Sequence, residues 1–226
     1  MVDVGALTTD ACGFLLYDDD DGDNYGILVS EVQPLGSAQL HLARLEITKE
    51  VGCPESIKSI DCTDPLAQIP DSIFDYLPEG CPEAGRLYRL EETQFRVPFE
   101  RQLWRCLIPL HRDRAPTDEH WQTGLPVFIG GGGGNAKWYR TVMRDVSVEC
   151  TERLRDVGDF KFRTLPKPAQ LVGKNINDTA FQRLAVAFGL SFDRFDRGRI
   201  RQPDQIPDIP RPKIRKPAPF ISKDQV

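Results

Sequence analysis

The sequence predicts an α/β fold, a mixed β-sheet with flanking helices, from three local patterns. Residues 2–17 read as strand, tight turn and strand, and residues 125–150 as strand, glycine turn and amphipathic helix. Residues 177–188 read as a capped helix with one apolar face. At 226 residues the chain is long enough to bury a core, and its 40% hydrophobic and 28% charged residues are ordinary globular values. A net charge of -5 argues against a general nucleic-acid binder. No apolar run approaches the roughly 20 residues of a bilayer span, and the N-terminus carries no signal-peptide pattern. The expectation is a cytoplasmic protein without membrane contact.

Taken in order, residues 2–5 form a short apolar strand, residues 6–10 a small polar turn, and residues 12–17 a second strand. The acidic stretch 18–23 lacks the spaced ligands of a calcium loop and reads as a solvated hairpin tip before a third strand at 25–32. Pro34 and Gly36 break that strand, and Ser37 is placed to cap a helix over 38–51. Residues 53–86 are proline-rich and irregular, and together with the stretch to 110 form an expected inserted subdomain. Within it Phe95, Phe99, Leu103 and Leu107 recur every four residues, and Pro98 suggests a helix that starts there.

Residues 125–129 form a strand followed by Gly130, Gly131, Gly132, Gly133 and Gly134. Asn135 then opens a helix on which Trp138, Val142, Val146 and Cys150 share a face. Residues 160–165 are a further strand. Asn177 or Asp178 caps a last helix lined by Phe181, Leu184, Ala185 and Phe188. Beyond about Arg199, and as a separate unit over 201–226, the chain reads as a disordered, basic, proline-rich tail. The six cysteines form no C-x-x-C pair, so reduced and mostly buried thiols are expected rather than zinc or disulfides.

Two turns carry the chemistry. In Val-Asp-Val-Gly-Ala-Leu-Thr-Thr-Asp, residues 2–10, Gly5 and Ala6 leave backbone N–H groups open to an anion, and Thr8 and Thr9 add hydroxyl donors. Asp3 and Asp10 suit a hydrated magnesium ion or an oriented water rather than phosphate. The bland alternative is a plain hairpin. In the second turn, glycines between a strand and a helix let a ligand lie against bare backbone. It is no P-loop, because Gly134-Asn135-Ala136-Lys137 lacks the closing Lys-Ser/Thr. A dinucleotide fingerprint fails as well, having Asn135 for its last glycine and no acidic residue at the end of a second strand.

These features, in this order, resemble the second half of the actin and heat-shock-chaperone ATPase superfamily. Residues 2–10 resemble its second phosphate motif, residues 127–133 its adenosine motif, and residues 184–189 (Leu-Ala-Val-Ala-Phe-Gly) its second interdomain helix. Residues 34–40 resemble the turn after the third strand of the chaperones. The resemblance implies a ribonuclease-H-like lobe that holds Mg2+ and ATP. It assigns Asp3 to the magnesium and attacking water, with Asp10 as a second water-mediated magnesium contact. Gly5, Ala6, Thr8 and Thr9 go to the phosphates, which Gly36 approaches from the neighbouring turn, and Gly130, Gly131 and Gly132 to the adenosine. Leu7 stands where the chaperones have glycine, and Gly134 where they have an adenine-stacking arginine. The family's first lobe has no counterpart before Met1, so a separate subunit or a truncated reading frame is expected. The partner is then the first lobe, and the chain alone is expected to bind nucleotide weakly without hydrolysing it. An interaction protein that keeps the fold without nucleotide is the competing expectation.

Overall fold

The computed structural model describes residues 1–19, 22–62, 67–169, 171, 176–191 and 199–206. Its centre is a six-stranded mixed sheet in the order β5-β4-β1-β2-β3-β6. The strands are β1 (Val2–Val4), β2 (Thr9–Asp19), β3 (Gly22–Gln33), β4 (Pro126–Gly130), β5 (Lys161–Thr164) and β6 (Arg199–Arg201). β2 runs antiparallel to both β1 and β3, whereas β1, β4 and β5 run parallel to one another. The α/β expectation therefore holds. β2 begins three residues earlier than the sequence suggested, because Thr9 pairs with Val4 and closes the hairpin at once.

Alternation along these strands sorts their side chains. Val2, Val4, Thr9 and Ala11 are buried on one face, and Asp3 and Asp10 lie on the other. The buried face is covered by α4 (Val97–Pro109) and α6 (Lys137–Arg153). Phe99, Leu103 and Cys106 from α4 meet Val142, Met143 and Val146 from α6 in one cluster with the strand residues. The helix expected to start at Pro98 is instead continuous with α3 (Ala84–Glu91) through a π-type turn at Glu92–Arg96. A second π-type turn, Leu110–Arg114, follows Pro109. The wider turn ahead of Pro98 lets the helix run on through that proline rather than ending there.

α4 thus belongs to the main core. The smaller core of the irregular region is Ile73, Leu77 and Leu87, packed against Ile47 of α1 (Ser37–Ile47), while the short α2 (Glu55–Lys58) buries no residue. Arg44 on α1 is fully buried and ties this region down, donating to Glu91 and to the carbonyls of Pro70 and Asp71. Ser37 is the first residue of α1 rather than its cap; the cap position is Gly36. A one-turn α5 (His120–Thr123) leads into β4, and a tight turn at Gly132–Asn135 delays α6 to Lys137. Asn177 caps α7 (Asp178–Leu190), its Oδ1 accepting from Ala180 N–H at 2.8 Å. Leu184 is exposed, not on the packed face with Phe181. The tail expected from Arg199 starts as β6, which closes the free edge of β3. Residues 207–226, and Asp20 and Asp21 of the acidic tip, lie outside the described residues. Among the described residues no helix is long and apolar enough to cross a membrane.

Candidate functional site

The hairpin turn after β1 and the glycine turn after β4 lie side by side, because β1 and β4 are parallel neighbours with Asp3 opposite Gly130. Asp10 sits across from Asp3 on β2, so both carboxylates and Gly130 form one row on the face away from α4. The Asp3 carboxyl is pushed above its ordinary range, first by burial and then by the Asp10 charge. Its Oδ1 is buried and has no hydrogen-bond partner among the described residues. Thr8 Oγ1 donates to Asp10 Oδ2 at 3.2 Å.

The backbone of the turn is fixed from below. Gly36 N–H donates to Leu7 O at 3.1 Å, Ser37 N–H to Gly5 O at 2.9 Å, and Ala38 N–H to Ala6 O at 2.8 Å. Three successive carbonyls therefore point at the first turn of α1, which satisfies amides that a helix start otherwise leaves open. In a planar trans peptide the N–H points opposite to its C=O, and there is no cis bond among the described residues. The N–H groups of Ala6, Leu7 and Thr8 consequently aim away from α1, toward the exposed side where Ala6 and Leu7 meet solvent. Consecutive amides presented in this way make a concavity for an anion. Gly5 does not join them, since its N–H closes the turn on Thr8 O at 2.9 Å.

Several expected contacts fall elsewhere. Thr9 is fully buried on the opposite face, and its hydroxyl donates to Gln102 Oε1 at 2.6 Å, so it cannot reach a ligand at the turn. Gly36 lies beneath the turn rather than beside a phosphate; a Cβ there would overlap the backbone of Ala6 and Leu7. Gly131, at φ +78°, folds over the end of β1 so closely that a Cβ would collide with the Asp3 carboxylate and the Val4 carbonyl. Gly130 is buried within β4. Of the three glycines assigned to adenosine, Gly132 borders an opening.

That opening has a volume of about 110 Å³ and is bounded by Ser37, Asp71, Gly132, Asn135 and Arg183 among others. Small-molecule pockets usually run from about 300 Å³ upward, so it holds a few waters rather than a nucleoside. Asn135 Nδ2 is buried with no acceptor among the described residues. Sequence reasoning missed Arg183, which lies along Gly132 and supplies an arginine where none was expected beside the glycine turn. It also missed Asp71, held by Lys137 Nζ at 2.9 Å and brought in by the Arg44 anchor of its own backbone. Arg183 directly precedes the segment 184–189 but has no role assigned there, and Asp71 sits in no local motif. Their positions come from long-range packing that spacing does not encode.

Among the described residues no group of three or more His, Cys, Asp or Glu side chains could hold a metal by itself. Asp3 and Asp10 are neighbouring carboxylates, a donor pair suited to a magnesium ion that keeps most of its waters, while the unpartnered Asp3 Oδ1 itself is buried beneath Gly131. Comparisons with protein-family models, with curated proteins and with solved structures gave no match for this chain.

Proposed function

We propose that this chain is the phosphate-holding half of a Mg-ATP site, the second lobe of an actin-like or chaperone-like ATPase with a ribonuclease-H-like sheet. The observation that carries this reading is the peptide geometry of the turn. The carbonyls of Gly5, Ala6 and Leu7 are held by α1, and the N–H groups of Ala6, Leu7 and Thr8 are aimed outward beside two carboxylates. The turn also follows the carboxyl end of β1, where the chain goes to one side through β2 and β3 and to the other through β4 and β5. Crevices of that kind are where open α/β sheets bind ligands.

In this reading the outward amides neutralise phosphate oxygens, and Thr8 holds Asp10 in place. Asp3 and Asp10 face the waters of a magnesium ion, which would screen phosphate charge and lower the proton affinity of Asp3. Stabilising a transferring phosphoryl group needs donors converging from both sides. The turn supplies one side, and the proposed partner is a first lobe that supplies the other.

A second reading rests on two specific observations: Leu7 is 62% exposed at the tip, and the opening beside Gly132 is only about 110 Å³. It is a fold kept for interaction after nucleotide has been lost. Thermal unfolding with Mg-ATP and with magnesium tripolyphosphate separates the two. Ligand at about a hundred times its Kd adds roughly 2.7 kcal/mol, which raises Tm by about 5–10 °C in a chain of this size. A shift with both ligands supports the phosphate site and shows the adenosine wall closed. No shift with either at millimolar concentration, with a first lobe supplied, would falsify the nucleotide reading.

A further inference from the structure

Three elements meet at the opening beside the glycine turn. Ser37 enters from the start of α1, Asn135 from the Gly132–Asn135 turn, and Arg183 from α7. Ala67 and Asp71 of the irregular region complete this part of the lining. Each of the three elements brings a hydrogen-bond donor that the fold leaves wholly or partly unused. Asn135 Nδ2 is buried without an acceptor among the described residues. Folded proteins retain few buried donors in that state, because desolvation without a partner is costly.

Arg183 lies with its stem and Nε along Gly132, and its Nη2 donates to the Ala67 carbonyl at 3.5 Å, a long contact. It makes no ion pair among the described residues. An arginine stays charged and presents a fork of N–H donors, of which Nη2 alone is engaged here. Ser37 Oγ reaches Gly5 O at 3.4 Å, beyond the usual span of a hydroxyl donor. Asp71 is the one carboxylate among the described lining residues, and Lys137 Nζ holds it at 2.9 Å. With that pair balanced, the Arg183 charge stands unopposed. A cation is disfavoured in the opening, whereas an anion gains a charge-assisted partner and an amide that has no other acceptor.

We propose that this opening binds a small tetrahedral oxyanion of the inorganic phosphate class between Arg183, Asn135 Nδ2 and the Ser37 hydroxyl. The space, about 110 Å³, excludes a nucleoside and accommodates a free ion. Donors that come from three separate elements suit four oxygens around a central atom better than the planar pair of a carboxylate. A bound ion would link α7, α1 and the glycine turn through one set of charge-assisted bonds. The site is separate from the outward amides of Ala6, Leu7 and Thr8, which aim away from α1. It does not rest on the nucleotide reading, since neither magnesium nor ATP takes part.

The test is a titration of the full chain with inorganic phosphate, without magnesium or nucleotide, followed through the side-chain N–H signals of Arg183 and Asn135 in proton–nitrogen correlation spectra. The control is chloride at matched ionic strength. The expected result is a saturable displacement of the Arg183 Nε–H and Asn135 Nδ2–H signals by millimolar phosphate and no saturation in chloride. Phenyl phosphate, whose ring the opening does not admit, is expected to leave both signals in place. Arg183→Gln is expected to weaken phosphate binding, read at Asn135, by at least about tenfold. Absence of a saturable change in the native chain overturns the proposal, whether or not the variant folds. So does undiminished binding in Arg183→Gln with the signals of Ala6, Leu7 and Thr8 displaced instead, which would place the ion at the hairpin turn. Equal binding of phenyl phosphate overturns it as well, since the ligand would then be an ester and not a free ion.

Discussion

The adjacent threonines of the hairpin turn face opposite sides of the sheet. Thr8 faces the carboxylate row, and Thr9 is buried against Gln102, which also donates to the Thr9 and Glu31 carbonyls at 2.7 and 3.0 Å. Their similarity hid this in the sequence, because which of two neighbours faces inward depends on strand register and not on residue type. Gln102→Leu leaves buried acceptors unpaired and is expected to cost about 3 kcal/mol in urea unfolding, against about 1 kcal/mol for Thr9→Val. Asp3 behaves in the opposite sense. Its proton affinity is higher folded than unfolded, so ionising it weakens the fold as pH rises through its ordinary value of 3.8 and above. Asp3→Asn is therefore expected to raise Tm at pH 7, to lose that gain in strong acid, and to abolish any magnesium-dependent shift with ATP. A lower Tm at pH 7 would show that the carboxylate is structural. Cys106 and Cys150 are buried, and burial first of all pushes both thiols up to about 12. Both are expected to react with a thiol reagent only after denaturation, on a timescale set by unfolding.

At the scale of elements, amphipathic spacing made α4, α6 and α7 legible, and the glycine run marked the end of β4. Their ends were not legible. The helix expected to begin at Pro98 runs through it, because a π-type turn accommodates what a proline rule forbids. Leu184 is exposed whereas Phe181 is buried, its ring 5.9 Å from that of Phe188 on the same helix. On α1 the decisive residues are polar and buried, a pattern that hydrophobic periodicity overlooks. His41 Nδ1 lies 2.8 Å from Tyr76 Oη, and burial, helped by the Arg44 charge, lowers the His41 pKa. The folded state thus resists protonating His41. Its contribution to stability is complete above the unfolded value of 6.5 and is lost as pH falls below it. A Tm that drops between pH 7 and 5 in the native chain, and drops less in His41→Gln, is the expected result. Equal slopes would assign the acid sensitivity elsewhere.

For the whole molecule, the two turns singled out in the sequence do meet, since β1 and β4 are parallel neighbours. What spacing could not supply was the closing of the space beside the glycine turn by Gly131, Arg183 and the segment around Asp71. Nor did it show β6, whose three residues carry no periodic pattern and gain their strand character from the edge of β3. Under the proposed function, the chain alone is expected to show a Mg-ATP-dependent rise in Tm and no release of phosphate above the uncatalysed background. Turnover by the purified chain that survives Asp3→Asn would point to a contaminating enzyme, and turnover abolished by that change would mean this half is sufficient.

The bonds from the start of α1 to the hairpin turn have a mechanical consequence. The direction in which Ala6, Leu7 and Thr8 aim their amides is not a property of the turn alone, because α1 holds the carbonyl end of each peptide plane. Arg44, farther along the same helix, grips Glu91 and the backbone at Pro70 and Asp71. In the proposed reading, an anion drawn to these amides would load α1, whose other grip is the irregular region. The helix would then act as a lever that carries occupancy of the turn to the Arg44 anchor.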